Sequence, residues 1–163
     1  MNAPKCPGCH KSEGTKQVDG QRAVCRSCSE AKRRVFNFCC ACEREWARDA
    51  SIANCSLPNC ALRAALLSDK QIDDPRSSAK GCPYFRACPG CKTLLTHNGV
   101  GCPKINCPKC GTEFCFRCLN KLCFGINDLT FLRLQRGLSL FQDNSINPCR
   151  VVNNTQMLAV LGL

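Results

Sequence analysis

The sequence predicts two small metal-stapled modules in tandem, built of short β-hairpins and loops with little helix. Three observations predict this. Nineteen of the 163 residues are cysteine and only 6% are aromatic, so a large apolar core is not available; small domains without one need staples. Six cysteine pairs have the Cys-x2-Cys spacing: Cys6/Cys9, Cys25/Cys28, Cys39/Cys42, Cys88/Cys91, Cys107/Cys110 and Cys115/Cys118. The short turn between such a pair points both sulfurs at one ion, and two pairs complete a tetrahedron. Finally, residues 61–81 hold no cysteine and divide the pairs into two blocks.

Zinc is the expected staple. The N-terminal MNAPKCPGCHK has no apolar run, so no secretory signal is visible. A reducing, intracellular setting, cytoplasmic or nuclear, is then expected, where disulfides are rare. The odd cysteine count and the repeated knuckle spacing point the same way. No stretch approaches the ~20 apolar residues of a membrane span. The formal charge of +11 suggests nucleic acid, but zinc ligands bind as thiolates. Each four-cysteine site carries a net −2, so four sites reduce the surplus to about +3 and three to about +5. The basic residues then serve largely as counter-charge, and a mildly basic solvated surface is the better reading.

Residues 1–60 form the first module. Taken in sequence, Cys6, Cys9, Cys25 and Cys28 hold one zinc, and Cys39, Cys42, Cys55 and Cys60 the next; a cross-braced pairing is the alternative. Cys40 follows Cys39 directly and is expected to point away from the metal. His10 reads as a surface residue beside a site four cysteines already complete. Val18-Asp19-Gly20-Gln21 is a hairpin turn, because Asp-Gly tolerates positive φ. Ala31-Lys32-Arg33-Arg34 is a short basic run with a solvated face as its plain reading. Phe36, Phe38 and Trp46 are expected to cover the second zinc site.

Residues 61–81 read as a linker, with two helical turns available to ALRAALL at 61–67 before a polar stretch containing Pro75. Residues 82–123 form the second module. Cys88, Cys91, Cys107 and Cys110 make its first zinc site, and Cys115, Cys118 and Cys123 begin another. The fourth ligand of that last site is left open, with Cys149 the remaining downstream cysteine, so three to four zinc ions are expected. Cys82 is unassigned and reads as a packing residue. Cys102 stands unpaired between two knuckles, flanked by Gly99 and Gly101, as an accessible thiol nucleophile would. Residues 124–163 hold one cysteine and many apolar residues. Leu129–Phe141 fits neither a helical stripe nor a strand alternation, and the tail receives no structural assignment.

This order of cysteines resembles the RING-between-RING (RBR) family of E3 ubiquitin ligases, over roughly residues 5–123. Residues 6–60 resemble an in-between-RING (IBR) domain, especially Phe38-Cys39-x2-Cys42-x3-Trp46. Ala47 stands where the family usually has a histidine ligand, leaving Cys55 in that role. Residues 88–123 resemble the RING2 domain: Cys88, Cys91, Gly101-Cys102, Cys107, Cys110, then Phe114-Cys115-Phe116-Arg117-Cys118. The resemblance includes no RING1. It implies an E3 ubiquitin transferase, or a fragment of one, in which Cys102 receives ubiquitin as a thioester from a ubiquitin-conjugating enzyme. Cys102 then passes it to a lysine of a protein substrate whose identity the sequence does not give. Glu113 matches the family's acidic residue, while Lys104 stands where a histidine base is common. A non-catalytic zinc-binding interaction module is the alternative function, and a nucleic-acid-binding zinc protein the third.

Overall fold

A computed structural model describes residues 3–48, 53–97, 102–121, 123 and 149–163. It divides into two compact units, Met1–Leu67 with Leu163, and Ser68–Gly162. Each is small hairpins with little helix, as expected.

In the first unit, β1 (Thr15–Asp19), β2 (Arg22–Cys25) and β3 (Phe36–Cys39) form an antiparallel sheet in that order. The expected Asp19-Gly20 turn joins β1 to β2. Gly20 has φ +47, and a Cβ there would collide with the Ala53 carbonyl. Helix α1 (Arg26–Lys32) links β2 to β3 and ends on Arg33 in the left-handed region. Phe36 and Phe38 stack at 6.4 Å and are buried with Ala23, Cys6, Cys25 and Cys28. The two phenylalanines therefore cover the first cysteine group, a correction to the expected second. Strand alternation is the cause, because residues 36 and 38 share one face of β3.

Residues 61–81, expected as a linker, carry structure on both sides of the division. Helix α2 (Cys60–Leu66) closes the first unit. Residues 70–84 fold back on themselves in the second: Ile72 N–H donates to the Cys82 carbonyl at 2.9 Å, and Tyr84 N–H to the Lys70 carbonyl at 2.8 Å. Ile72, Ala79 and Cys82 are thereby buried against Phe116, which places Cys82 as a packing residue.

The second unit is two hairpins. Strands β4 (Phe85–Ala87) and β5 (Leu94–Thr96) flank the Cys88/Cys91 knuckle; β6 (Lys104–Asn106) and β7 (Glu113–Cys115) flank Cys107/Cys110. Residues 124–148, including Leu129–Phe141, lie outside the described residues. Helix α3 (Asn154–Leu161) follows, capped by the Asn153 side chain, which accepts the Gln156 N–H, and by Gly162 at φ +65. It buries Asn154, Met157 and Leu158, the i, i+3, i+4 face. Among the described residues no helix is long and apolar enough to cross a membrane.

Candidate metal centres and the Cys102 turn

Five of the six knuckles share one local geometry. The residue four beyond the first cysteine donates its N–H back to that cysteine's carbonyl: His10 to Cys6, Glu43 to Cys39, Lys92 to Cys88, Gly111 to Cys107 and Leu119 to Cys115, at 2.8–2.9 Å. All five donors have positive φ, and four of them are not glycine. Each such residue is strained, so the turn is held by what lies inside it. The first cysteine's own N–H crosses to the residue five beyond, as in Cys88 to Thr93 at 2.8 Å. Cys25/Cys28 differs by opening α1, where the Cys25 side chain caps the Cys28 N–H.

These knuckles assemble four groups of cysteine sulfurs, each within 4.8 Å of one another: Cys6, Cys9, Cys25 and Cys28; Cys39, Cys42, Cys55 and Cys60; Cys88, Cys91, Cys107 and Cys110; Cys115, Cys118, Cys123 and Cys149. Measured Sγ–Sγ separations run from 3.5 Å for Cys88–Cys110 to 3.9 Å for Cys42–Cys55. A tetrahedron with Zn–S near 2.3 Å has edges of about 3.8 Å, whereas a disulfide is about 2.05 Å. All nineteen cysteines are unbridged. The four groups therefore fit Zn2+, in the sequential rather than the cross-braced arrangement. Cys149 takes the place the sequence left open.

Two knuckles read Cys-Pro-Gly-Cys, and their glycines are steric requirements. A Cβ on Gly8 would lie 2.8 Å from Cys28 Sγ, and one on Gly90 2.5 Å from the Thr112 hydroxyl and 3.4 Å from Cys110 Sγ. Only glycine lets the opposing ligand approach.

Burial makes metal necessary for ionisation. It pushes the Cys28 thiol up to about 12, Cys39, Cys88 and Cys118 to about 11, and Cys60 and Cys149 upward as well. Clustered buried thiols keep their protons until a cation displaces them. Exposed Cys110 is the opposite case, lowered to about 6 by the Thr112 hydroxyl at 3.1 Å and by the Thr112 backbone.

The fourth group has a support that the sequence reading missed, namely Arg86. Its side chain is fully buried. Nε and Nη2 donate to the carbonyls of Phe116 and Arg117 at 3.0 Å, and Nη1 to Asn154 Oδ1 at 2.9 Å. The guanidinium thus ties the Cys115–Cys118 knuckle to α3. Burial lowers the Arg86 pKa, while Cys82 and Cys115 oppose that by favouring the cation. A buried arginine beside anionic sulfur compensates charge. The arginine's position in the three-residue strand β4, a residue away from a knuckle, gives no hint of this in sequence.

Sixteen cysteines are thus in groups, and Cys40, Cys82 and Cys102 are not. Cys40 is half-buried against the first core, and Cys82 is buried; Cys102 is exposed. Gly99 and Gly101 lie outside the described residues. Cys102 Sγ accepts the Lys104 N–H at 3.4 Å. Phe116 N–H donates to the Pro103 carbonyl at 2.7 Å and fixes the chain beyond it. Lys104 Nζ sits 2.9 Å from Glu113 Oε2, a diagonal cross-strand pair on β6 and β7. That pair raises the lysine pKa and lowers the Glu113 pKa. His97 is buried against Phe116 at 5.4 Å. Its Nε2 donates to the Cys102 carbonyl at 3.0 Å. His10 is exposed and outside the first group.

Four cysteine tetrads on hairpin turns define a tandem zinc-module protein. Residues 83–125 match the IBR domain family. The chain is 28% identical over 116 residues to the E3 ubiquitin-protein ligase ARIH2 of Mus musculus, covering 70% of this chain and 20% of that protein. It therefore spans about a fifth of that relative's length. No solved structure matches. Residues 83–125 are thus similar to an IBR domain, and 116 residues of the chain to a part of an E3 ubiquitin-protein ligase. The IBR match falls on the block that the resemblance reads as RING2-like, and the two cysteine blocks share the same knuckle geometry.

Proposed function

We propose that this chain is the transfer part of an RBR-type ubiquitin ligase, with residues 1–60 as its IBR-like and 82–123 as its RING2-like module. The observation that carries the proposal is Cys102, an exposed thiol outside every tetrad, between the two knuckles of a complete one. The Cys102 thiolate attacks the thioester carbonyl of a ubiquitin-charged conjugating enzyme. A new Cys102 thioester forms, and the conjugating enzyme's cysteine leaves as thiolate. A substrate lysine, as neutral amine, then attacks the new thioester to give an isopeptide; Cys102 leaves as thiolate and the amine's proton passes to water. Zinc, held by the sixteen tetrad cysteines, supplies folding energy and rigid turns. Lys104, protonated and held by Glu113, cannot take the proton of the incoming amine. Glu113 contributes by orienting Lys104.

The test is a non-reducing gel of the zinc-loaded chain with several charged conjugating enzymes. A thiol-sensitive ubiquitin adduct is expected, and Cys102→Ser should convert it to a thiol-resistant oxyester. Absence of any adduct with all donors sinks the reading. One arrangement favours the non-catalytic alternative: Lys104 occupies Glu113, and His97 Nε2 donates to the Cys102 backbone carbonyl. Under that reading Cys102→Ala leaves partner binding unchanged.

A further inference from the structure

Cys102 and Cys110 are both exposed, and they flank the same strand, β6. An electrophile that reaches this hairpin meets two sulfurs, one outside every tetrad and one inside the third. The knuckle turn carries a side-chain position that bears on which of them reacts.

In the five knuckles that share the turn, the residue five beyond the first cysteine accepts that cysteine's N–H. These residues are Lys11, Arg44, Thr93, Thr112 and Asn120, at 2.8–3.0 Å. Each stands two beyond the second cysteine of its knuckle. At three of these positions the side chain also reaches the second cysteine's sulfur. Arg44 Nε donates to Cys42 Sγ at 3.4 Å, and the Thr93 and Thr112 hydroxyls lie 3.1 Å from Cys91 Sγ and Cys110 Sγ. Both threonines fall on the third group, one on each knuckle. A metal-bound thiolate has no proton to give, so in the zinc-loaded site each hydroxyl is the donor. The facing knuckle leaves room for one of them: a Cβ on Gly90 would lie 2.5 Å from the Thr112 hydroxyl. A β-branched residue entering β5 or β7 is ordinary strand chemistry, but that preference does not aim a hydroxyl at a sulfur.

We propose that Thr93 and Thr112 are selectivity residues, which hold Cys91 and Cys110 unreactive and leave Cys102 as the sulfur that electrophiles attack. A hydrogen bond to anionic sulfur is charge-assisted and strong. It weakens as the sulfur gives up charge to an incoming carbon, so it stabilises the thiolate more than the transition state of attack. The inference concerns any soluble electrophile and does not depend on ubiquitin transfer, so its test needs no conjugating enzyme.

The test is timed alkylation of the full zinc-loaded chain with iodoacetamide, with the first-labelled cysteine mapped in singly modified molecules. A weak chromophoric chelator reports released zinc. The attacking sulfur bonds to the reagent's methylene carbon, iodide leaves, and the neutral thioether no longer holds the ion. Cys102 should be labelled first. Thr112→Val keeps the branched shape without the hydroxyl and should speed labelling of Cys110 about tenfold, with zinc release in step and no change at Cys102. Thr112→Ser restores the hydroxyl and should behave as the unmutated protein does. Thr93→Val should act in the same way on Cys91. Circular dichroism and zinc content before labelling establish that each variant folds. An unchanged Cys110 rate in Thr112→Val overturns the proposal. So does equal acceleration by Thr112→Val and Thr112→Ser, or first labels spread evenly over the four third-group cysteines. Failure of both valine variants to load the third site would make the hydroxyls structural and would overturn it as well.

Discussion

The two zinc groups of the second unit are built from the same knuckle and differ in how they are closed. Cys88, Cys91, Cys107 and Cys110 come from two hairpin tips; Cys88 and Cys107 are buried, Cys91 is half-buried and Cys110 is exposed. Cys115, Cys118, Cys123 and Cys149 are drawn from separated chain segments, with Cys115 and Cys149 buried and Arg86 and α3 packed behind them. The first kind of site is local and exposed, and it presents the turn that bears Cys102. The second is the unit's anchor.

The largest expected effect comes from removing all metal. Structural zinc contributes on the order of 10–16 kcal/mol per site in model peptides, and here sixteen cysteines are grouped to bind it. A strong chelator should abolish the folded circular-dichroism spectrum of both units; an unchanged spectrum contradicts the account.

Arg86→Ala should come next. It leaves the Phe116 and Arg117 carbonyls and Asn154 Oδ1 without their donor, at a cost of about 3 kcal/mol or more in urea unfolding. The loss should fall on the fourth site, with zinc content dropping before that of the third. A loss below 1 kcal/mol would show that α3 is not anchored this way.

Mild conditions should separate the two sites in the other direction. Substoichiometric chelator should empty the exposed third group before the fourth, and falling pH should release zinc from both. The sign follows from competition between protons and zinc. Burial raises the thiol pKa values of Cys88, Cys118 and Cys149 in the absence of metal. Zinc uptake therefore expels up to about four protons per site, and affinity falls as pH drops. Zinc release that is independent of pH, monitored with a chromophoric chelator, contradicts thiolate ligation.

The smallest effect belongs to Lys104→Ala. Its ion pair with Glu113 is about half exposed on both sides, and such pairs contribute roughly 0–1 kcal/mol. Thermal stability should barely change. A large loss would mean that this pair holds the β6–β7 hairpin.

Much of this was legible in sequence because metal spacing is local. A Cys-x2-Cys turn specifies its own hydrogen bonds, so the six pairs could be read as candidate ligands from spacing alone. Cys149 could not be, because 25 residues separate it from Cys123 and spacing says nothing over that distance. The roles of Phe36 and Phe38 were misplaced because sequence neighbours of Cys39 turn their faces to the first group. The roles of Arg86 and His97 depend on contacts 30 residues away or on a tilted ring contact with Phe116, and neither leaves a periodic trace. Residues 70–84 read as polar linker because their backbone is satisfied mostly by itself, around the few buried residues Ile72, Ser77, Ala79 and Cys82.

The most direct measurement is thiol mapping of the native, zinc-loaded protein. A soluble alkylating reagent should be applied briefly, followed by denaturation, a second label and peptide mass analysis. The account predicts four zinc ions per chain and first-label modification at Cys102 well ahead of every other cysteine. Cys40 and Cys82 should react slowly and the sixteen tetrad cysteines only after metal loss. Rapid labelling at Cys123 or Cys149 with Cys102 protected would contradict it.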